Sequence, residues 1–200
     1  MPQEVFSILA VCTGNVCRSP AVERLLASKL GPTVSVRSAG THALVGHPIS
    51  EPMAALLRAS GVESESFEAR RLSDQMLKEA DLVLSMTRAQ RGLVVELWPA
   101  AVRGTFTLRE FARLLSWVDS SVLPPGTPAE RLRAAIPLAV AERVRERRSP
   151  DEDDVTDPFR LSSAVYAESL AQIMSAVDSI VYRIVTNQPS TTRPYNALTT

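Results

Sequence analysis

The order of apolar and helical segments in the first forty residues constrains the fold most. Residues 5–11 form an apolar run rich in Val, Ile and Phe, which is typical of a buried strand. A turn-like stretch follows. Ser19 and Pro20 are then predicted to open a helix as its N-cap and first helical residue. Residues 34–36 indicate a second strand. This order predicts a βαβ unit, and therefore a parallel sheet with a right-handed crossover.

The alternation of helices and strands continues along the chain, which places the protein in the α/β class. Helices are predicted at 51–60, 73–79, 87–97, 108–117 and 162–185, and further strands at 80–86 and 104–106. The last helix has an apolar face with helical spacing.

The length fits one domain, and a proline-rich and basic region interrupts the pattern near its end. We expect a single domain over residues 1–186, with an insertion at about 119–150 and a disordered tail at 187–200. Within the insertion, residues 129–148 indicate a basic helix interrupted by Pro137. We interpret its arginines as a solvated face. Partner docking and a charge clamp on the acidic run that follows are the alternatives.

The cysteine count and the charge exclude several classes of protein. The 200 residues include two cysteines and have a net charge of +0. Two cysteines exclude a disulfide framework and fit a reducing compartment. The balanced charge gives no signal for nucleic acid or membrane binding. No signal-peptide pattern or long apolar run is present, so we predict a cytoplasmic protein.

Residues 11–20 carry the chemical signal, because they lie where the first strand ends and the first helix begins. A helix N-terminus at that edge of a parallel sheet is a ready anion site. Gly14 permits a positive φ and Asn15 tolerates it, so successive amides can curl around an anion. Arg18 can bind two anion oxygens at once. This pattern predicts a phosphate-binding loop.

Cys12 stands at the start of this loop, where its sulfur is expected to point at the bound anion. A thiol in such an electropositive place is a reactive nucleophile. The Ser19 hydroxyl is placed to donate a hydrogen bond to that sulfur. The chain therefore has the elements for attack on phosphorus.

Other interpretations of these residues are weaker. A nucleotide-binding loop is disfavoured because no Gly-Lys-Ser/Thr follows. A zinc site made of Cys12, Cys17, His42 and His47 would have a 24-residue spacer, about double that of a Cys2His2 finger. We therefore expect no metal and no cofactor. Cys17 alone is also compatible with a small buried apolar residue.

The loop closely resembles the signature of the low-molecular-weight protein tyrosine phosphatases, which is Cys, five residues, Arg and Ser after a strand. The matching residues here are Cys12, Gly14-Asn15, Cys17 and Arg18-Ser19-Pro20. Ser38-Ala39-Gly40-Thr41 is similar to the turn whose serine supports the loop asparagine, and Asp157-Pro158-Phe159 to the general-acid element. The resemblance covers about 1–118 and 155–186. It implies a three-layer α/β/α sandwich with a central, mostly parallel four-stranded sheet.

The resemblance also implies a role for each site residue. Cys12 is the nucleophile, Arg18 stabilises the phosphate and Asp157 is the general acid and base. Ser19 and Ser38 support the loop, and Cys17 resembles a second thiol that could trap oxidised Cys12 as a disulfide. The phosphate-binding set comprises Thr13, Gly14, Asn15, Val16, Cys17 and Arg18. Two features leave the substrate preference open: Arg160, where many family members have a second aromatic residue, and the small polar Thr13.

The expected substrate is a phosphotyrosine protein or another aryl phosphate, and inorganic phosphate or a similar oxyanion is expected to bind the loop. We expect neither nucleic acid nor membrane as a partner, and favour a monomer. An arsenate reductase that uses a small-molecule thiol shares this fold and loop and stays open. A disulfide-cascade reductase is excluded because no third cysteine follows Cys17. A non-catalytic phosphate-binding module is the alternative from another class.

Overall fold

Four parallel strands form the centre of the structure, a computed structural model that describes residues 5–145 and 150–186. The strands are β1 Phe6–Cys12, β2 Val34–Gly40, β3 Leu82–Ser85 and β4 Thr105–Thr107. Their order across the sheet is β2-β1-β3-β4, and every pairing is parallel. The predicted sheet is confirmed. The second strand is longer than expected and ends at Gly40.

Helices cover both faces of this sheet. They are α1 Arg18–Leu30, α2 Glu51–Ala59, α3 Asp74–Glu79, α4 Arg88–Leu97, α5 Leu108–Trp117, α6 Pro128–Arg145 and α7 Ser163–Val185. Alternate residues of β1 point to opposite faces. Phe6 and Ile8 join the larger core with α1, α5 and α7, whereas Leu9 and Val11 join a smaller core with α3 and α4. This confirms the three-layer sandwich and explains why β1 is apolar throughout.

The start of α1 differs from the prediction. The helix begins at Arg18 with Cys17 in the N-cap position, and no side chain caps it. Ser19 is inside the helix and fully buried. Its hydroxyl lies 2.9 Å from the sulfur of Cys12. The expected N-cap serine is therefore wrong, because the loop before α1 uses this hydroxyl elsewhere.

The predicted break at Pro137 is also wrong, because α6 continues through this proline. Leu132, Ala135 and Ala139 of α6 are fully buried in the main core, and the helix contacts β1, α5 and α7. Proline inside a helix costs about 3 kcal/mol. Burial of the apolar face of α6 offsets this cost, since packing outweighs helix propensity in proteins.

The arginines of α6 do not form a simple solvated face. Arg131 is 2% exposed and donates to the carbonyl groups of Ile184 at 2.7 Å and Pro124 at 3.0 Å. Arg143 is half-buried and donates to Glu110 of α5 at 2.7 Å, with its guanidinium 4.1 Å from the ring centre of Phe106. These two arginines therefore hold α6 in place, which corrects the solvated-face interpretation for them.

Other expectations concern residues that the structure does not describe. Arg147 and Arg148 of the basic stretch, and the tail at 187–200, lie outside the described residues. No helix in 5–145 or 150–186 combines the length and the apolar character that a membrane crossing requires.

The burial of α6 predicts that it contributes to stability. Leu132→Ala should lower the free energy of unfolding by about 2–4 kcal/mol, since it leaves a cavity in the core. Leu97→Ala is the control, because Leu97 ends α4 and is 50% exposed. Urea unfolding of both variants measures the difference. Equal losses would contradict a structural role for α6.

Candidate active site

The predicted loop lies at the carboxyl edge of the sheet. Cys12 is the last residue of β1, and Arg18 is the first residue of α1. We call residues 12–18 the anion loop. Gly40, at the end of the neighbouring β2, passes so close that a Cβ atom there would lie 2.5 Å from the Thr13 carbonyl oxygen. Only glycine fits at this position, because any side chain would clash with the loop. The backbone of β2 can therefore lie directly against the loop.

Hydrogen bonds from outside the loop bind its carbonyl groups. The donor amides and acceptor oxygens are Thr41 to Cys12 at 3.0 Å, His42 to Thr13 at 2.9 Å, Leu44 to Gly14 at 3.0 Å and Ser50 to Val16 at 2.7 Å. In a planar trans peptide the next N–H points away from the carbonyl. The amides of residues 13, 14, 15 and 17 therefore face the interior of the loop. The Asn15 amide is 3.2 Å from the Cys12 sulfur, as this orientation requires.

Asn15 determines the conformation of the loop. Its φ is 54°, and it is fully buried. Its side-chain amide donates to Ser19 at 3.0 Å and Ser38 at 2.9 Å, and its carbonyl oxygen accepts from the Arg70 amide at 2.8 Å. The left-handed conformation is available to asparagine at low cost. The sequence indicated that Gly14 could also adopt a positive φ, but the φ of Gly14 is not positive.

Glu23 is a buried charged residue that sequence reasoning missed. It accepts a hydrogen bond from the Ser38 hydroxyl at 2.6 Å and is 8% exposed. Because Ser38 donates to Glu23, its oxygen is free to accept from Asn15. The sequence did hold a signal: Glu23 lies on the same helical stripe as Leu26 and Leu30, where an apolar residue is expected.

Cys12 lies at the floor of the site. This residue is 2% exposed. The sulfur accepts the Asn15 N–H and lies 2.9 Å from the Ser19 hydroxyl. These contacts fix the sulfur beneath the inward-facing amides.

Arg18 and Asp157 are brought together from opposite ends of the chain. Arg18 is 3% exposed, and its guanidinium donates to the Val155 carbonyl at 3.2 Å and forms an ion pair with Asp157. The Asp157 side chain is 51% exposed. Its other carboxylate oxygen accepts from the Phe159 amide at 3.2 Å. An acid group therefore stands at the mouth of the loop, with about half of its side chain open to solvent.

These residues line a cavity of about 150 Å³. Its floor contains Cys12 and Arg18, and its walls contain Val16, Leu44 and Phe159. A wider groove of about 720 Å³ adjoins it and shares Thr13, Arg18, His42 and Asp157 with it. The narrow cavity has room for a small anion, and the wide groove can accommodate a longer chain.

Gln90 also supports the loop, and sequence reasoning missed it. Its side-chain amide donates to the Thr13 hydroxyl at 3.0 Å, and its carbonyl oxygen accepts from the amides of Met86 and Thr87. Thr87 and Gln90 form a capping box at the start of α4. The Thr-x-x-Gln spacing in the sequence is a capping signal. The contact of Gln90 with the loop has no such signal in the sequence.

Arg160 lies beside the site, in a turn. Its φ is 63°, and its guanidinium stands 5.1 Å from the ring centre of Phe159. At this distance the cation contacts the aromatic face. Arg160 therefore packs on the ring that forms one wall of the cavity.

Cys17 differs from Cys12 in its surroundings, although both are free thiols. Cys17 is 4% exposed, and its thiol points to the Tyr166 hydroxyl at 3.7 Å. That hydroxyl is 3.1 Å from the Ser50 hydroxyl. Burial raises the pKa of the Cys17 thiol to about 11.

The zinc alternative gains no support, because no group of three or more metal-binding side chains comes together within the described residues.

Comparison with known proteins assigns this fold and site to a class. The sequence model of the family described as low molecular weight phosphotyrosine protein phosphatase matches residues 7–125. The chain belongs to this family. The match ends before α6, so α6 and the segment with Asp157 lie beyond it. The predicted family and enzyme class, a phosphatase and so a hydrolase, are confirmed.

Individual relatives point to two kinds of phosphatase. A protein-arginine-phosphatase of Geobacillus stearothermophilus is 38% identical over 131 residues, 65% of this chain and 86% of the relative. The low molecular weight protein-tyrosine-phosphatase Etp of Escherichia coli K12 is 41% identical over 118 residues, 59% of this chain and 75% of the relative. The structure of the YwlE arginine phosphatase from Geobacillus stearothermophilus superposes with a TM-score of 0.66 at 27% identity, covering 90% of this chain and 93% of that one.

The buried state of Cys17 predicts a pH dependence of stability. Because the folded-state pKa lies near 11 and the usual value is 9.0, the thiol stabilises the fold fully below about pH 9. This contribution is lost as the pH rises through 11 and amounts to about 2–3 kcal/mol. Denaturant unfolding between pH 8 and pH 11, compared with Cys17→Ala, measures it. Parallel pH curves for the two proteins would contradict this assignment.

Proposed function

We propose that the protein is a protein tyrosine phosphatase that acts through a cysteinyl-phosphate intermediate. The observation that carries the proposal is the convergence of the Cys12 sulfur, the inward-facing loop amides, the Arg18 guanidinium and the Asp157 carboxyl group on one small cavity. Each group has a separate task in cleavage of a phosphate ester.

In the first step the Cys12 thiolate attacks phosphorus, and a P–S bond forms as the P–O bond to the leaving group breaks. The loop amides and Arg18 bind the three equatorial oxygens, whose charge they stabilise in the transition state. Arg18 is paired with Asp157 before the substrate arrives. The phosphate oxygens then take over part of this pairing, which leaves the Asp157 carboxyl group beside the leaving oxygen.

Asp157 completes both half-reactions as acid and then as base. It protonates the departing phenolate oxygen in the first step. In the second step it accepts a proton from water, which attacks phosphorus and breaks the P–S bond. Phosphate is released and the Cys12 thiolate is restored. The half-exposed position of Asp157 suits this exchange with water.

The walls of the cavity favour an aromatic leaving group. Leu44 and Phe159, both partly exposed, present apolar surface to the cavity, and the buried Val16 also lines it. Asp157 is the only carboxylate among the described residues that line this cavity, and Arg18 already pairs with it. A phenyl ring gains from such walls, whereas a guanidinium would find no carboxylate here besides Asp157, which the reaction already uses as the general acid.

Protein arginine phosphatase is the second candidate, because the Geobacillus stearothermophilus relative with 38% identity carries that name. The nucleophile and the anion loop would serve both reactions. The two candidates differ in the group that leaves, which is a phenolate oxygen or a guanidinium nitrogen. We rank arginine second on the composition of the cavity walls.

The arsenate reductase and the non-catalytic module rank lower. The relatives described above are named as phosphatases. An acid group beside the loop arginine can protonate a departing phenolate. A protein that only binds phosphate has no need of such a group. The expected binding of inorganic phosphate, the monomeric state and the cytoplasmic location stay predictions.

The mechanism predicts the effects of two substitutions on aryl phosphate hydrolysis. Cys12→Ser should abolish turnover but retain phosphate binding, measured by calorimetry, because the loop amides and Arg18 remain. Asp157→Ala should lower turnover by a factor of about 10²–10⁴. Asp178→Ala is the control, since this exposed acid on α7 pairs with Lys29 far from the loop. Turnover that survives in Cys12→Ser would refute the mechanism.

The cavity walls predict the substrate preference. The kcat/KM for a phosphotyrosyl peptide should exceed that for the matching phosphoarginyl peptide by about tenfold or more. Phosphate release from both peptides, at equal enzyme concentration, measures the ratio. A preference for phosphoarginine would replace the first candidate with the second and leave the Cys12 mechanism intact.

A further inference from the structure

The segment that carries the acid has little regular structure, yet other elements hold it at successive residues. We call residues 153–157 the acid segment. Its central part is fixed by backbone contacts: the Val155 amide donates to the Met86 carbonyl at 2.8 Å, and Arg109 donates to the Asp154 carbonyl at 2.7 Å. Besides its own contacts with Arg18 and the Phe159 amide, Asp157 depends on this segment for its position.

Arg113 of α5 holds the beginning of the acid segment. Its guanidinium donates to both carboxylate oxygens of Asp153, at 3.1 and 2.9 Å from Nη2 and at 3.2 Å from Nε. The two side chains are 19% and 12% exposed. Such a forked, partly buried pair fixes orientation as well as distance. The Thr107 hydroxyl donates to the Asp153 carbonyl at 3.0 Å and adds a second attachment.

Gln172 of α7 holds the residue directly before the acid. Its Oε1 accepts from the Thr156 amide at 2.9 Å, and its Nε2 donates to the Thr156 hydroxyl at 3.1 Å. The Nε2 also donates to Glu168 on the same helix at 3.2 Å. Gln172 thus binds Thr156 through its backbone and its side chain at once, from the rigid surface of a long helix.

We propose that Gln172 and Arg113 are positioning residues for the general acid, which they hold at the mouth of the anion loop through Thr156 and Asp153. The inference rests on the proposed function of Asp157. Neither side chain lines the small cavity that contains the Cys12 sulfur. Gln172 does line the wider groove, but a small aryl phosphate occupies only the small cavity. With such a substrate the effect of either residue on the reaction passes through the acid segment.

The physical reason is the short reach of proton transfer. A general acid must come within hydrogen-bond distance of the leaving oxygen. A displacement of about 1 Å can cost a factor of about 10². Loss of one attachment leaves the acid segment tied at its other residues, so we expect a smaller effect than removal of Asp157 itself.

The test compares two substrates that differ in their need for an acid. Phenyl phosphate releases a phenol with a pKa of about 10, like tyrosine, and depends on protonation. The more acidic nitrophenol of 4-nitrophenyl phosphate depends on it less. Gln172→Ala and Arg113→Gln should each lower kcat/KM for phenyl phosphate by about tenfold and for 4-nitrophenyl phosphate by about threefold or less. Arg113→Lys should recover part of the loss.

A control and a combined variant separate positioning from general damage. Gln75→Ala removes an exposed glutamine that contacts Glu79 on α3, and it should leave both rates unchanged. In an Asp157→Ala background, Gln172→Ala should cause no further change in the ratio of the two rates, since the acid that it positions is gone.

Equal losses for both substrates in Gln172→Ala and Arg113→Gln would overturn this inference, as would an additive effect in the Asp157→Ala background. Such results would leave the proposed function in place, provided that Asp157→Ala alone shows the dependence on the leaving group. Absence of aryl phosphatase activity in the wild-type protein would instead overturn the proposed function, and this inference with it.

Discussion

The hydrogen bonds between the anion loop and the chain that follows β2 are the interactions on which the site depends. They hold the loop carbonyl groups outward, so the amides face the Cys12 sulfur. Asn15 stabilises the one left-handed residue that this turn requires, with Ser38 and Glu23 behind it. The centre of the loop is thus made from backbone groups and one arginine, so the proposed anion site is local and is compatible with a net charge of +0.

Two parts of the chain with different tasks meet at this centre. The anion loop is local in sequence and is fixed by β1, β2 and α1. The acid segment comes from the far end of the chain and depends on side chains of α5 and α7. The helix α6 precedes the acid segment in sequence and packs into the same core, with Arg131 and Arg143 as anchors. The region that was predicted as an insertion therefore contributes to the core, and it packs on α5, the helix whose Arg113 binds Asp153.

The sequence predicted the sheet, the helices and the anion loop because these depend on local patterns. Strand alternation, turn residues and the spacing from Cys12 to Arg18 lie within short windows. The position of Asp157 followed only from the family resemblance. Gln90, Arg113 and Gln172 could not be found, since each acts on a residue of another element, 77, 40 and 16 positions away, and no local pattern encodes such a contact. The buried arginines of α6 were misjudged because charge alone does not reveal packing.

The central claim is that the phosphoryl group passes through the Cys12 sulfur. Rapid acid quenching during turnover of a phosphotyrosyl peptide, followed by mass spectrometry of the digested protein, tests it directly. The account predicts a phosphoryl group on the peptide that contains Cys12, and a longer-lived one in Asp157→Ala because hydrolysis of the P–S bond lacks its base. Turnover with no phosphorylated cysteine, or with the phosphoryl group on another residue, would contradict it.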